Sequence, residues 1–489
     1  MADQLSLAYR EIESQMRVLC QRLAELRYTE TIKRRQAAEC SAMLSKIRLL
    51  PSELLSEIFI HCLPDMPSPS ADEAPLLLCH ITSSWRQLAL HLPPLWRRLW
   101  IPRGCSRRAK SDELNLDSLE VPVSFWLERL GRCPMDLSLN SLSWQSILQL
   151  LRSLGPRSDI IQQLTLYSPR GYPVDLEQQP EPRKLVKLNA LRTLSLHLGA
   201  PIPTGKPILL DTPNLRRISL DLHSEGLSNF IRWPQITHLY LPGQGYTILV
   251  STFRDVLRLS SSLEEAEVSI RHDSKLQQTG PFTDVVTTMQ NFTRLAVDVR
   301  GSCDLDILFH GFEFPALSSL KLYATHPFFT WRGYSSFSGE LIALTHLTLS
   351  NVAISIHDLL AVIRANRPLI SLHLHVHHDV LDVMDTLRSL TCSTMDWIGP
   401  HLQDVRIVLP SLDTDSPLLA QAAQLIHSRS KTDIAASKMH LTLYFTPDVM
   451  DPFEVARLQG RLRNEFKNTG WEEGFRWTTT VLVHRGFKI

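Results

Sequence analysis

The sequence predicts a mixed α/β chain, with helices over residues 1–102 followed by a long solenoid whose strands form one parallel sheet. Three observations predict it. Residues 5–47 contain no proline or glycine and place apolar residues at alternating spacings of four and three. A six-residue motif, L-x-x-L-x-L in its ideal form, recurs eleven times between residues 134 and 407. Within each copy apolar and polar residues alternate, as a strand buried on one side and wet on the other requires.

The N-terminal seam runs Leu5, Tyr9, Ile12, Met16, Leu19, Leu23 and Leu26, is interrupted by Glu30 and Lys33, and resumes at Ala37, Cys40, Leu44 and Ile47. A 3.5-residue period keeps one narrow stripe facing a partner helix, which is the coiled-coil signature. Two readings stay open for residues 1–47. The helix either pairs with a second copy, giving a homodimer, or lies on the chain's own solenoid.

Residues 48–102 read as a small helical module. Pro51 suits the first turn of a helix, and Leu54, Leu55, Ile58, Phe59 and Cys62 follow at helical spacing until Pro64. The loop Asp65–Pro75 then leads to a second helix, LLLCHITSSWRQLAL, with an apolar stripe through Leu77, Leu78, Ile81, Trp85, Leu88 and Ala89. Pro93 and Pro94 break that helix.

Leu50-Pro51-x-Glu53-Leu54-Leu55-x-x-Ile58-Phe59, then Trp85-Arg86-x-x-Ala89 and Pro94-Leu95-Trp96, resembles the F-box of the expanded F-box family of basidiomycete fungi. The N-terminal helix and the repeats behind it match the layout of that family as well. Ile81-Thr82 depart from the Val-Cys pair frequent in the family, and Asp65–Pro75 lengthens the loop between the helices. The resemblance implies an F-box-like bundle that docks on a Skp-family adaptor within a cullin–RING ubiquitin ligase complex. By position it makes Leu50, Pro51, Leu54, Ile58, Trp85 and Leu95 the adaptor-binding or bundle residues. The plainer alternative is that the two helices cap the first solenoid repeat.

A linker with a helix is expected over 103–132, the solenoid over 133–438 and a C-terminal cap over 439–489. The motif copies begin at residues 134, 161, 191, 215, 236, 263, 292, 317, 344, 369 and 402. Most of these intervals fall in the leucine-rich-repeat range of roughly 20–29 residues. The fourth and sixth positions of each copy point inward. The third, fifth and seventh then line the other face, expected to be concave: Gln163, Thr165 and Tyr167, or Ser319, Lys321 and Tyr323. Only Pro242, Ala296 and Val408 interrupt that polar ladder. Segments 246–261 and 355–367 read as helices on the opposite, convex side.

The charge balance, 51 Lys+Arg against 50 Asp+Glu, gives no electrostatic case for nucleic acid or membrane as the main partner. The opening residues lack the apolar block of a signal peptide. The eight cysteines are scattered without a C-x-x-C pair, which suits reduced thiols and a cytoplasmic or nuclear location.

No phosphate loop, zinc-protease motif or nucleophile elbow occurs, so no enzyme, metal or cofactor is expected. In LHLHVHHD, His373, His375 and His377 alternate on one strand face, with His378 and Asp379 after them. They are read as wet recognition positions, because cysteine ligands and a second His pair are missing. The basic run Arg97, Arg98, Arg103, Arg107, Arg108 and Lys110 is read as a solvated linker.

The expected function is that of a substrate receptor, which contributes proximity to ubiquitin transfer and no covalent chemistry. Tyr323, His346, His373 and His375 are expected to bind the target protein, since aromatic anchors dominate interface energetics. The alternative is a non-ligase scaffold dimerised by the N-terminal helix.

Overall fold

The computed structural model describes residues 2–43, 46–102, 116–140, 150–168, 186–198, 210–221, 231–241, 247–271, 286–301, 308–325, 330–331, 343–375, 387–391, 399–409, 421, 424–425 and 440–445. The chain divides into two compact units, Met1–Asp65 with Ser70–Leu95, and Met66–Pro69 with Trp96–Ile489.

The first unit is helical. Helix α1 spans Ala2–Met43 and is followed by a short 3-10 segment, Lys46–Leu49. Helix α2 spans Ser52–His61, α3 Leu76–Ile81 and α4 Ser83–Leu90. The single helix expected from Leu76 to Leu90 is therefore two. Thr82 stands between them in extended backbone, with φ −145° and ψ 162°, and its hydroxyl accepts a hydrogen bond from the Trp85 amide at 3.1 Å. A β-branched residue whose oxygen can cap the next helix favours that break over a continuous turn.

The second unit is built on a fourteen-stranded sheet. Thirteen strands lie in one row in chain order, every neighbouring pair parallel. The first seven are β1 (Arg98–Ile101), β2 (Met135–Asn140), β3 (Ile161–Ser168), β4 (Thr193–Leu198), β5 (Arg217–Asp221), β6 (His238–Leu241) and β7 (Glu265–Arg271). The row continues through β8 (Arg294–Arg300), β9 (Ser319–Ala324), β10 (His346–Ser350), β11 (Ser371–His375), β12 (Asp404–Leu409) and β13 (His440–Phe445). The short strand Ile248–Leu249 joins beside β7. A parallel sheet in strict sequence order requires a crossover connection between each strand and the next.

The sheet overruns both expected boundaries. It begins at Arg98, inside the stretch assigned to the helical module, because Leu99 and Ile101 alternate with Arg98 and Trp100 and bury the apolar pair. At the far end His440–Phe445, the first strand expected in the C-terminal cap, pairs in register with β12, while 446–489, with the helix expected over 453–467, lie outside the described residues. Within the expected linker, Leu116–Leu130 forms helix α5 and 103–115 lie outside the described residues. The Trp126 indole of α5 donates to the Arg98 carbonyl at 3.1 Å, which satisfies a backbone group on the edge strand.

Several of the described strands are entered through the same turn. The amide of Leu215 donates to the Thr212 carbonyl, that of Ile236 to Trp233, that of Leu317 to Phe314, and that of Leu369 to Asn366, at 3.0–3.3 Å. Both ends of each of these turns are buried. Proline occupies the second turn position at Pro213, Pro234 and Pro315, where its fixed φ suits the bend.

Just after the turn, one carbonyl accepts two amides from the next coil. The Thr293 carbonyl receives Ser318 N at 2.9 Å and Ser319 N at 3.1 Å, and the Thr345 carbonyl receives Ile370 N and Ser371 N at 2.8 and 3.0 Å. Hydroxyls join the ladder: Ser318 Oγ donates to the Thr293 carbonyl at 3.1 Å and Thr345 Oγ1 to the Ser318 carbonyl at 2.8 Å.

The inward strand positions, among them Leu194, Leu196, Leu239, Val268, Val297, Leu320, Leu322, Leu347 and Leu372, form the core. Helices α6 (Val250–Leu259) and α7 (Ile356–Ala365) fall where the 3.6-residue period predicts them. They bury Phe253, Val256 and Leu257, and Leu359, Val362 and Ile363, respectively.

Leu320 is fully buried, whereas its neighbour Lys321 points to solvent. Leu320→Ala is expected to cost about 2–5 kcal/mol and Lys321→Ala less than about 0.5 kcal/mol. Denaturant unfolding of the two variants measures the difference, and equal losses would contradict this inside–outside assignment.

Candidate functional site

The first unit exposes an apolar face. Along α2, residues four apart share a side, so the apolar set expected as one stripe separates into two. Leu55 and Phe59 are buried, and the Phe59 ring packs against Trp85 with centroids 4.9 Å apart. Leu54 and Ile58 point outward, 53% and 39% exposed, next to exposed Pro51 and Leu49. On α3 the pair Leu77 and Ile81 is exposed in the same way.

Of the six residues assigned to adaptor binding, Pro51, Leu54 and Ile58 are on the surface and Leu50 is half-buried. Trp85 is half-buried, packing on Phe59, and Leu95 is fully buried, so of the six Leu95 offers no surface to a partner. Leu77 and Ile81 belong to the apolar stripe read from the sequence but were not assigned to adaptor binding, and exposed Leu49 was not singled out.

The second unit exposes the outer face of its sheet, where side chains line up across strands in three rows. One row runs Arg217, His238, Glu265, Arg294, Ser319, His346, Ser371, Asp404. The next runs Ser219, Tyr240, Glu267, Ala296, Lys321, Thr348, His373, Arg406. In the third, Ser269, Asp298, Tyr323, Ser350 and His375 are neighbours, and further back Tyr167 stacks on His197 at 4.7 Å. The four residues assigned to target binding, Tyr323, His346, His373 and His375, thus lie on three consecutive strands of one face.

Their environments differ. His373 Nε2 lies 3.1 Å from both Asp404 Oδ2 and Ser371 Oγ, and His375 Nδ1 lies 3.2 Å from Ser350 Oγ. The alternating histidines turn to different partners, and no group of three or more His, Cys, Asp or Glu able to hold a metal occurs among the described residues. His377, His378 and Asp379 lie outside the described residues, as do Arg103, Arg107, Arg108 and Lys110 of the basic run. Arg98 of that run belongs to strand β1.

Charges on this face are mostly paired. Arg294 pairs with Glu265, Arg300 Nε approaches Asp298 Oδ2 at 3.2 Å, and Arg406 Nε approaches Asp404 Oδ2 at 3.0 Å. Burial raises the Asp404 carboxyl, but hydrogen bonds with His373 and Arg406 outweigh it and hold the group below its ordinary 3.8. His238 is held below its ordinary 6.5 by burial and by Arg217 and Arg294. Burial and Glu267 together raise the phenols of Tyr240 and Tyr323.

No helix of the described residues is long and apolar enough to cross a membrane. The cysteines described, Cys20, Cys40, Cys62, Cys79 and Cys133, form no disulfide.

A carboxyl with a depressed folded-state pKa stabilises the fold above its unfolded value, and that contribution disappears as pH falls through the folded value. Asp404→Asn is therefore expected to lower stability near neutrality and flatten the acid limb of the stability profile below about pH 4. Urea midpoints measured across that range test this, and an acid limb identical to that of the parent chain would contradict it.

No protein-family model matches this chain and no curated protein matches it, so the functional reading rests on the geometry of its own residues.

Proposed function

We propose that this protein is an F-box-type substrate receptor, which joins a target protein to a Skp-family adaptor and a cullin–RING ubiquitin ligase. The observation that carries the reading is the two-sided helix α2. Leu55 and Phe59 fill its inner side, while Leu54 and Ile58 stand exposed on the other. An exposed apolar pair next to Pro51, in a bundle that already has its core, suits a docking surface. The sheet face supplies a second, polar surface with aromatic anchors for the target. The work of such a receptor is to bring reactants together, so it needs no catalytic group of its own.

Leu54→Asp with Ile58→Asp is expected to abolish co-purification of the adaptor and leave the sheet unit folded, because an unpaired carboxylate in an apolar interface costs several kcal/mol. Tyr323→Ala with His373→Ala should do the reverse, weakening target capture and sparing the adaptor, since the two pairs belong to different compact units and share no partner among the described residues. Pull-down with mass spectrometry reads both. Undiminished adaptor binding in the first variant sinks the docking assignment; undiminished capture in the second moves the target surface elsewhere.

A second reading, a scaffold dimerised by α1, is favoured by one observation. Tyr9, Ile12, Met16, Leu19, Leu23 and Leu26 of its seam are all exposed. Glu13–Arg17 and Glu30–Arg34 pairs support the helix along its length without covering that seam. Sedimentation of the full chain should then show a dimer that Leu19→Lys with Leu23→Lys converts to monomer. A monomeric parent chain would remove this reading.

A further inference from the structure

Every side chain described on α1, residues 7–37 and Cys40, is exposed. Tyr9, Ile12, Met16, Leu19, Leu23 and Leu26 stand 50–71% exposed along one stripe. Their steps of three and four match those of a second helix with the same spacing, which is the cover such a stripe takes. At Glu30 and Lys33 the stripe turns charged, while the helix itself runs on to Met43. A partner helix must cover the apolar stretch without setting those two charges against their own kind.

A parallel second copy fails that condition. In register, it places each seam residue against itself, so Glu30 meets Glu30 and Lys33 meets Lys33. At the flanks it brings Arg22 beside Arg27 of the other chain, since parallel helices join residues five apart there. Each like-charge pair opposes association. A staggered parallel pair leaves an uncovered seam on each chain and does not close.

An antiparallel second copy meets the condition. With Met16 opposite Leu19 of the other chain, Ile12 faces Leu23 and Tyr9 faces Leu26, and the twofold axis repeats each contact. The apolar stretch then covers itself. Glu30 and Lys33 fall at the end of the overlap, opposite the first turn of the second helix. At the flanks Gln15 comes beside Arg22 and Glu13 beside Cys20, so no like charges meet. A different antiparallel register sets Glu30 against Lys33, but it brings Arg27 against Arg34. It also carries Tyr9, Ile12 and Met16 past Met43, the end of the second helix.

From these placements we infer that two copies of this chain join through an antiparallel coiled coil of α1, centred between Met16 and Leu19. The inference rests on the reading in which α1 dimerises the chain, and it supplies the order of the pair. By the rise of an α-helix the two Met43 residues stand about 75 Å apart, so the remainder of each chain leaves from an opposite end of the coil.

The test mixes two full-length chains, both carrying Cys20→Ser, one with Met16→Cys and the other with Leu19→Cys. They are oxidised gently with oxidised glutathione, and the disulfide peptides are identified by mass spectrometry. A disulfide forms only where Cα atoms come within about 7 Å, so facing positions are the ones joined. The expected product links position 16 of one chain to position 19 of the other, in excess of both same-position disulfides together. The Cys40 thiols should stay unjoined. Predominant same-position disulfides, or a Cys40–Cys40 disulfide, would overturn the antiparallel order. Glu30→Leu with Lys33→Leu removes charges that oppose the parallel pair and should shift the products toward same-position disulfides; an unchanged pattern would overturn charge as the cause. Sedimentation of the unmodified chain separates the two failures. A monomer removes the dimer reading and this inference with it, whereas a dimer with same-position disulfides removes the antiparallel order alone.

Discussion

The parallel sheet depends on a recurring bond: one carbonyl at the entry to successive strands that accepts two amides from the next. Glu264 receives Thr293 and Arg294, Thr293 receives Ser318 and Ser319, and Ser318 receives Thr345 and His346. A shared acceptor of this kind fixes both the distance between coils and their register, since slipping by one residue breaks two bonds at once. The neighbouring hydroxyls of Thr293, Ser318 and Thr345 add a third donor to the same column. With register fixed there, every strand presents equivalent positions to the same face. The rows of Tyr240, Glu267, Ala296 and Lys321 are a consequence of that bond.

Two kinds of surface result. In the sheet unit the apolar side chains are consumed by the core, so its outer face is left with polar groups that mostly neutralise one another. In the helical unit a ten-residue helix carries more apolar residues than its small core can cover, and Leu54 and Ile58 remain outside. The first surface can discriminate among partners through charge and shape, whereas the second can only be hidden. The proposed receptor role, with one constant partner and one selected partner, would use this division.

Much of the sheet was legible because its signal is local and repeated. Eleven copies of an alternating motif leave little freedom about which residues face inward, and Leu320, Leu347 and Leu372 are buried where alternation puts them. The boundaries were not legible, because β1 and β13 carry the alternation without the flanking leucines that define the motif. The turn residues Thr212, Ser260 and Asn366 were missed too; they are polar yet buried, and the Asn366 amide accepts from Leu344 N at 3.3 Å and donates to the Val362 carbonyl at 2.8 Å. Thr82 likewise looked helical by spacing until its hydroxyl proved to be a cap. For the candidate sites, period identified the right stripe on α2 but could not say which half of it stays outside. That depends on Trp85, which is distant in sequence and packs on Phe59.

The central claim is that the exposed face of α2 docks an adaptor, and reconstitution tests it most directly. The full chain and a purified Skp-family adaptor, mixed and passed over a sizing column with light scattering, are predicted to elute as one complex holding both chains. Separate elution of the two at concentrations well above micromolar would contradict the account.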